Sequence, residues 1–261
     1  MSRVKISACI IAKDEADRIG PCLESVSFCD EVLVLDSGSR DGTPDLCRRA
    51  GARVIETDWP GWVAQKNRAV DAATHDWILS LDADERVDPE LRAALEAIRA
   101  RGDPGPGGAA AFEMTRKTFV HGRWILHGGW YPEWRVRLFD RRRARWGGVD
   151  PHDRVEPAGP VERVGRGALE HFTYRSLADQ VAQMNRFSDA AAKELFARGR
   201  RASLLSLVFR PPFKFFRMYV LRAGFLDGRA GFVLAFLSAC SVFLKYAKLW
   251  ELARGAGRPR P

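Results

Sequence analysis

Apolar runs and polar breaks alternate through the first part of the chain with the rhythm of strand, loop and helix. Val4 to Ala12 is an almost continuous apolar run, which predicts a central strand covered on both faces. Ile19, Leu23 and Val26 recur at helical spacing after Asp14. Glu31 to Leu35 predicts a second strand, and the segment Asp36-Ser37-Gly38-Ser39-Arg40-Asp41-Gly42-Thr43-Pro44 that ends it is all turn chemistry, with Asp41 or Thr43 as an N-cap and Pro44 in the first helical turn. A helix to Ala50, a short strand Arg53 to Glu56, a helix Trp62 to Ala73 and a strand Trp77 to Leu81 follow, then a helix Asp88 to Ala100. Units of this size in this order predict a doubly wound, mostly parallel α/β sheet.

Arg101 to Gly108 is rich in Gly and Pro and marks the end of a first half. Ala109 to Thr115 and Leu169 to Tyr174 predict further strands, and Leu177 to Leu195 an amphipathic helix. Between Phe119 and Trp146 the chain is dense in aromatics, Arg and Gly, with four of the eight tryptophans falling from Trp124 to Trp146. Such a segment is either core or a surface on which sugar rings stack. Beyond Gly199 three strongly apolar stretches, Leu204 to Phe209, Phe213 to Val220 and Phe232 to Leu249, are separated by Pro211-Pro212 and by Gly224-Phe225-Leu226-Asp227-Gly228. The longest uncharged run there, Ala230 to Leu244, is 15 residues, short of the roughly 18 to 20 that span a bilayer. The expectation is amphipathic helices lying on a membrane; helices of the domain core are the alternative.

Composition changes this picture at one point. The net charge of +9 suggests nucleic acid until it is located: residues 196–261 carry 13 Lys/Arg against 2 Asp/Glu, and the rest of the chain 29 against 31. A near-neutral domain with a basic, apolar appendage points to an anionic membrane surface and not to nucleic acid. The five cysteines are scattered, without a Cys-x-x-Cys pair, which fits a reducing cytosolic setting. The start of the chain reads as the first strand and not as an export signal.

Candidate chemistry gathers at strand ends. Asp14, Asp36 and the pair Asp82/Asp84 follow three successive predicted strands, and in a doubly wound sheet those loops open on one edge. Leu81-Asp82-Ala83-Asp84-Glu85 places two carboxylates where their repulsion favours a bound Mg²⁺ or Mn²⁺ shared with a diphosphate. Alone, the motif is equally a polar loop ahead of the cap Asp88-Pro89-Glu90. There is no Gly-x-Gly-x-x-Gly and no Walker lysine motif, and the histidines (75, 121, 127, 152, 171) fall in no Ser or Cys triad pattern.

At these residues the chain resembles the glycosyltransferase family 2 enzymes of the GT-A fold. Ile6 to Arg18, Val34 to Thr43 and Leu79 to Glu85 follow that family's donor-binding half in order and spacing. Gln65-Lys66-Asn67, Leu81 to Arg86, Gly122-Arg123-Trp124, His127 to Pro132, Arg137-Leu138-Phe139 and Gly224 to Gly228 are similar to the bacterial lipopolysaccharide-core β-glucosyltransferases. The resemblance implies a GT-A domain over 1–195, with a nucleotide-sugar half 1–101 and an acceptor half 109–195, followed by basic amphipathic membrane helices over 196–261.

It further implies inverting, divalent-metal-dependent transfer of a hexose, glucose by that likeness, from a UDP-sugar to a lipid-linked saccharide, by an enzyme peripheral on the cytoplasmic face of a bacterial inner membrane. Donor-binding residues are then Ala12, Asp14, Glu15, Asp36, Ser37, Lys66, Asp82, Ala83 and Asp84. Asp84 comes first and Asp82 second as metal ligands, and Trp130, Tyr131 and His152 meet the acceptor. The general base is Asp153, which stands where the subfamily has Glu in His-Glu-Arg, with Glu133 as second choice. Ser37 and Asp14 depart from the family's common Asp and Asn. A nucleotidyltransferase on the same kind of sheet, or a non-catalytic membrane scaffold, are the alternatives.

Overall fold

The computed structural model describes residues 3–105, 107–150 and 152–255. Of the sequence readings, Pro151 and residues 256–261 lie outside the described residues.

Four parallel strands run in the order β3 (Arg53–Glu56), β2 (Glu31–Asp36), β1 (Ile6–Ala12), β4 (Trp77–Asp82). β1 lies between two parallel neighbours and every one of its residues is buried, which is why its sequence is apolar throughout instead of alternating. Its side chains still divide by parity. Ile6, Ala8, Ile10 and Ala12 enter one core with α1 (Ile19–Ser25), α2 (Thr43–Arg49) and α4 (Pro89–Arg101); Cys9 and Ile11 enter a second core with α3 (Trp62–Ala72). Each fully buried Leu or Ile in these cores contributes roughly 1.5–3 kcal/mol.

Beyond β4 the sheet changes character. β8 (Glu133–Asp140) pairs antiparallel with β4 and with β6 (Ala111–Val120), and the order continues through β12 (Leu169–His171) to β5 (Glu85–Val87). β11 (Val161–Arg163) joins β6 in parallel, while β9 (Ala144–Val149) and β10 (His152–Pro157) form a separate antiparallel hairpin. The α/β sheet with a parallel first half is as expected. The short strands β5 and β7 (Arg123–Ile125) and the strands β8, β9, β10 and β11 were not read from the sequence, because their apolar positions are interrupted by charged ones, of which Glu85 and Arg137 are buried as a pair.

The chain divides into two compact units: the first runs up to Lys117 and resumes over Glu133–His171, and the second takes Thr118–Pro132 and everything from Phe172. In the second unit, the end of β6 pairs with β7 (Arg123–Ile125). The long α5 (Leu177–Ala197), capped by Ser176 accepting from Asp179 N at 3.1 Å, packs on α8 (Gly228–Gly255). Lys248 ties the two helices, with its Nζ 2.7 Å from Asn185 Oδ1 and 2.8 Å from both Ser188 Oγ and Asp189 Oδ1.

α6 (Leu204–Val208) and α7 (Arg210–Phe216) lead into a π-helical turn, Arg217–Leu221, and a tight corner, Gly224–Asp227. The corner needs its glycines: a Cβ on Gly224 would lie 2.7 Å from Met218 O, and one on Gly231 would collide with Gly224 O. Within Gly224–Gly255 an 18-residue window reaches a mean hydropathy of 1.7, so the helix is long and apolar enough to cross a bilayer. It thus meets a length requirement that its 15-residue uncharged run did not, because such a window tolerates a charge such as Lys245.

Candidate active site

The register of the parallel strands aligns their carboxyl ends, placing Ala12 beside Asp36 and Ile11 beside Asp82. Asp36 is buried, and its carboxylate accepts from Gly38 N (3.0 Å), Ser39 N (2.8 Å) and Ser39 Oγ (2.5 Å). Its first role is therefore to shape its own loop. Ser37 N donates to Ala12 O at 2.9 Å, which joins the two strand ends. Asp14 adopts a left-handed conformation (φ 53°), tolerated by Asp more than by most residues. Its Oδ1 accepts from Arg40 N at 2.8 Å, so the loops after β1 and β2 hold each other. Glu15 forms a two-pronged pair with Arg18, with Nε and Nη2 each at 2.7 Å.

The second acidic loop meets α3 and the β9–β10 hairpin. Asp150 accepts from Trp62 N and Val63 N, both at 3.0 Å, and Asn67 exchanges hydrogen bonds with the Trp146 backbone at 2.9 and 3.1 Å. The hairpin is fixed to α3 at both ends, and this is what brings Asp153 to the site. Lys66 Nζ then lies 3.0 Å from Asp82 Oδ1 and 2.7 Å from Asp153 Oδ2, and 4.2 Å from the centre of the Trp146 ring. The lysine is 3% exposed, a burial that two carboxylates and an aromatic face offset.

Arg137 donates to the other oxygen of Asp82 at 3.1 Å and to Glu85 Oε1 at 2.7 Å. Asp82 Oδ1 is itself buried, touching Lys66 as an ion without an aligned hydrogen bond. Burial alone would raise the Asp82 carboxyl, but Lys66 and Arg137 outweigh it and hold the group far below the usual carboxylate range.

Glu133 belongs to a neighbouring network. Arg116 Nη2 lies 2.7 Å from its Oε2 and Arg135 Nη2 2.5 Å from its Oε1, while Arg116 also reaches the fully buried Glu85 at 3.1 Å. Burial raises the Glu133 carboxyl and the two guanidiniums lower it further, so it sits below its ordinary value. Two partners that never deprotonate make it a weak proton acceptor.

Asp84 turns away from Asp82. Its Oδ2 lies 3.4 Å from His171 Nε2 and 3.7 Å from Arg18 Nη1. His171 was not among the expected site residues, nor were Arg137 and Glu85. His171 and Arg137 reach the site through antiparallel pairing, β12 with β5 and β8 with β4, which no local pattern reveals; Glu85 stands in the acidic motif itself, and only its burial was hidden. A carboxylate oxygen and an imidazole nitrogen are a donor pair that suits Mn²⁺, and two protein ligands leave positions for donor phosphates. Asp82 is engaged by its two cations. Among the described residues no group of three or more His, Cys, Asp or Glu is placed to hold a metal ion. Under the site, burial and then Glu85, Asp84 and Asp82 push the Cys22 thiol well up, which removes it as a nucleophile.

His152 is exposed at the start of β10. Trp130 and Tyr131 belong to the second unit, where Trp130 packs against Val120, Ile125, Ala230 and Leu234. In that unit Asp227 is buried and accepts from His127 N at 2.8 Å and Leu126 N at 3.3 Å, with His127 Nδ1 3.0 Å away. The Gly224–Asp227 corner therefore fixes the segment that carries Trp130 and Tyr131.

Acids at the carboxyl ends of the parallel strands stand where open α/β sheets bind ligands, and a buried ammonium joins one of them, Asp82, to Asp153 of the β9–β10 hairpin. Residues 7–162 match the family model for glycosyl transferase family 2, and the chain belongs to that family. It is similar to the lipopolysaccharide core biosynthesis glycosyltransferase LpsC of Rhizobium meliloti (strain 1021), 31% identical over 99% of this chain and 96% of that protein. An uncharacterized glycosyltransferase of Rickettsia felis is 32% identical over 95% of this chain and 90% of its own length. Among solved structures, glucosyl-3-phosphoglycerate synthase from Mycobacterium tuberculosis, in complex with Mn²⁺, UDP-glucose and phosphoglyceric acid, is 25% identical with a TM-score of 0.34 over 46% of this chain and 45% of that one. The protein is thus a glycosyltransferase of GT-A architecture with a lipopolysaccharide-core relative.

Proposed function

We propose that the protein transfers a hexose, glucose by its subfamily likeness, with inversion from a UDP-sugar to a lipid-linked saccharide such as the lipopolysaccharide inner core, and that it works on the cytoplasmic face of a bacterial inner membrane. The observation that carries this reading is the placement of Lys66 between Asp82 and Asp153, 3.0 and 2.7 Å away. It sets the proposed base and the proposed donor acid on either side of one ammonium. The loops of Ala12, Asp14, Glu15, Asp36 and Ser37 receive the nucleotide, and Ala83 leads the chain from Asp82 to Asp84. Asp84 and His171 would hold a divalent cation, which would supply positive charge against the departing diphosphate. Lys66 answers the same charge from the α3 side, and in doing so leaves Asp153 Oδ2 to take the proton of the acceptor hydroxyl. By the family likeness His152 in the first unit, and Trp130 and Tyr131 in the second, are the residues that meet the acceptor. Asp153 ranks above Glu133 because its partner is one lysine with a second anion to serve, whereas Glu133 is locked by two arginines.

The deciding experiment is a screen of UDP- and GDP-sugars against core oligosaccharide acceptors with Mn²⁺ or Mg²⁺. Turnover of UDP-glucose to UDP and glycosylated acceptor is expected, and Asp153→Asn lowers kcat roughly 10²- to 10⁴-fold. Glu133→Gln retains most activity. Loss of activity in Glu133→Gln alone reverses the base assignment, and release of pyrophosphate in place of UDP ends the glycosyl-transfer reading.

The membrane association is read as peripheral. α8 turns Gly231, Leu234, Ala235 and Ala239 into the second unit, leaving one flank for a bilayer surface. Alkaline carbonate is expected to strip the protein from membranes; retention in the pellet would mean that α8 crosses them.

A further inference from the structure

Away from the acids, the second unit carries an apolar groove next to a group of cations. The groove has a volume of about 520 Å³ and no charged residue in its lining; Pro211, Pro212 and Phe215 form one side, and Phe232, Phe236 and Phe243 the other. The three α8 phenylalanines remain 47–53% exposed, an arrangement costly in water. Lys214 sits between two groove residues in α7, and Lys245 follows Phe243 by two positions in α8. Arg217 and Arg222 complete the group. Burial, and then the positive charges of Arg217, Arg222 and Lys245, hold Lys214 below the ordinary lysine value. Two other cations of the unit have carboxylate partners, Lys248 with Asp189 and Arg198 with Glu194. No ion pair joins any of these four to a carboxylate among the described residues.

Like charges clustered without a counter-ion, bordering an apolar slot, fit a ligand that is anionic at one end and hydrocarbon at the other. We propose that this face is a docking surface for anionic phospholipid of a bilayer, with the α8 phenylalanines entering the headgroup–acyl boundary, the groove taking an acyl chain, and Lys214, Arg217, Arg222 and Lys245 holding lipid phosphate. A nucleic acid has no use for the apolar half, and an acidic protein would leave the groove unfilled. The inference rests on the membrane reading above, and it names the surface through which that reading operates.

The test is vesicle sedimentation of the full chain, with phosphatidylglycerol–phosphatidylcholine vesicles against phosphatidylcholine alone. Wild type is expected to favour the anionic vesicles and to lose that preference at high salt. K214Q/R217Q weakens anionic binding by about 30-fold, at about fivefold per charge near a membrane surface. The charge-preserving K214R/R217K keeps it. F236S/F243S, at exposed positions, weakens binding to the anionic vesicles by roughly tenfold or more, with the thermal unfolding midpoint of every variant checked against wild type. Anionic binding that is unchanged in K214Q/R217Q or in F236S/F243S overturns this surface but leaves the membrane reading intact. Wild type that ignores both vesicles overturns both. None of these readings needs sugar transfer, so an inactive enzyme with normal vesicle binding would count against the transferase reading alone.

Discussion

The two units treat charge in opposite ways. In the first, Lys66, Arg116 and Arg137 are buried against Asp82, Glu85, Glu133 and Asp153, so every one of these charges has an opposite charge within about hydrogen-bonding distance. In the second, Lys214, Arg217, Arg222 and Lys245 stand together with like charge only. A buried, balanced network has discrete geometry and low tolerance for loss of a member. An unbalanced one, half-buried at Lys214 and Lys245 and exposed at Arg217 and Arg222, constrains little within the protein and awaits something from outside. The first arrangement suits chemistry, and the second suits attachment.

The largest expected effect breaks the balanced side. Arg137→Met leaves Glu85, which is fully buried, and Asp82 with reduced compensation, and removal of one partner from a buried pair costs about 3–5 kcal/mol. Urea unfolding of the variant should show a lower midpoint with an unchanged slope. A midpoint equal to wild type would mean that the acids take up protons or water freely and that the network is not rigid.

A second balanced carboxylate lies at the opposite end of the strands. Glu31 is raised by burial but lowered more by Ser7, the Thr74 backbone and Arg53, to about 2 from an ordinary 4.5. Its folded value is depressed, so its contribution is complete above about 4.5 and disappears as pH falls through about 2. A shift of this size corresponds to about 3 kcal/mol. Stability of wild type minus Glu31→Gln, followed by denaturant titration across acid pH, should be largest near neutrality and shrink over that window. A pH-independent difference would assign the effect to packing.

Asp84 is intermediate, since its neighbours His171 Nε2 and Arg18 Nη1 are 3.4 and 3.7 Å away rather than in close contact. That looser pairing is what a metal ligand needs. His171→Ala should weaken Mn²⁺ binding by about 10- to 100-fold, read directly by titration calorimetry with UDP present. Equal affinity would remove His171 from the proposed metal site.

These residues also mark how far the sequence could be read. The parallel half was legible because β1, β2 and β4 are buried on both faces and therefore apolar along their length, and because Asp36 and Asp82 stop those runs at one edge. β8 was not legible. Arg137 occupies a core position that only the pairing with Asp82 and Glu85 makes acceptable, so the apolar period is broken where burial is deepest. His171 was read as belonging to no pattern because its partner Asp84 lies far back in the chain, joined to it through β12 and β5. Asp153 was named from family position; its contact with Lys66 depends on Asp150, which accepts from the first backbone amides of α3, and on Asn67 of α3, which bonds the Trp146 backbone of β9, and neither carries a local signature.

The smallest effect belongs to the unbalanced side and sharpens the contrast most. Lys214 and Arg217 are three residues apart, and a like-charged pair at that spacing destabilises by about 0.2–0.5 kcal/mol. Arg217→Gln should therefore leave the thermal midpoint equal to wild type or slightly higher, where a comparable deletion in the first unit lowers it. The pH dependence carries the same sign. A lysine whose folded value is depressed binds fewer protons folded than unfolded, so wild-type stability gains as pH rises toward the ordinary lysine value of 10.5. With one of the repelling charges removed, Lys214 moves back toward that value and the alkaline gain becomes smaller. If Arg217→Gln instead lowers stability at neutral pH and leaves the alkaline slope unchanged, the cations of the second unit are partnered within the protein, and the difference between the two units disappears.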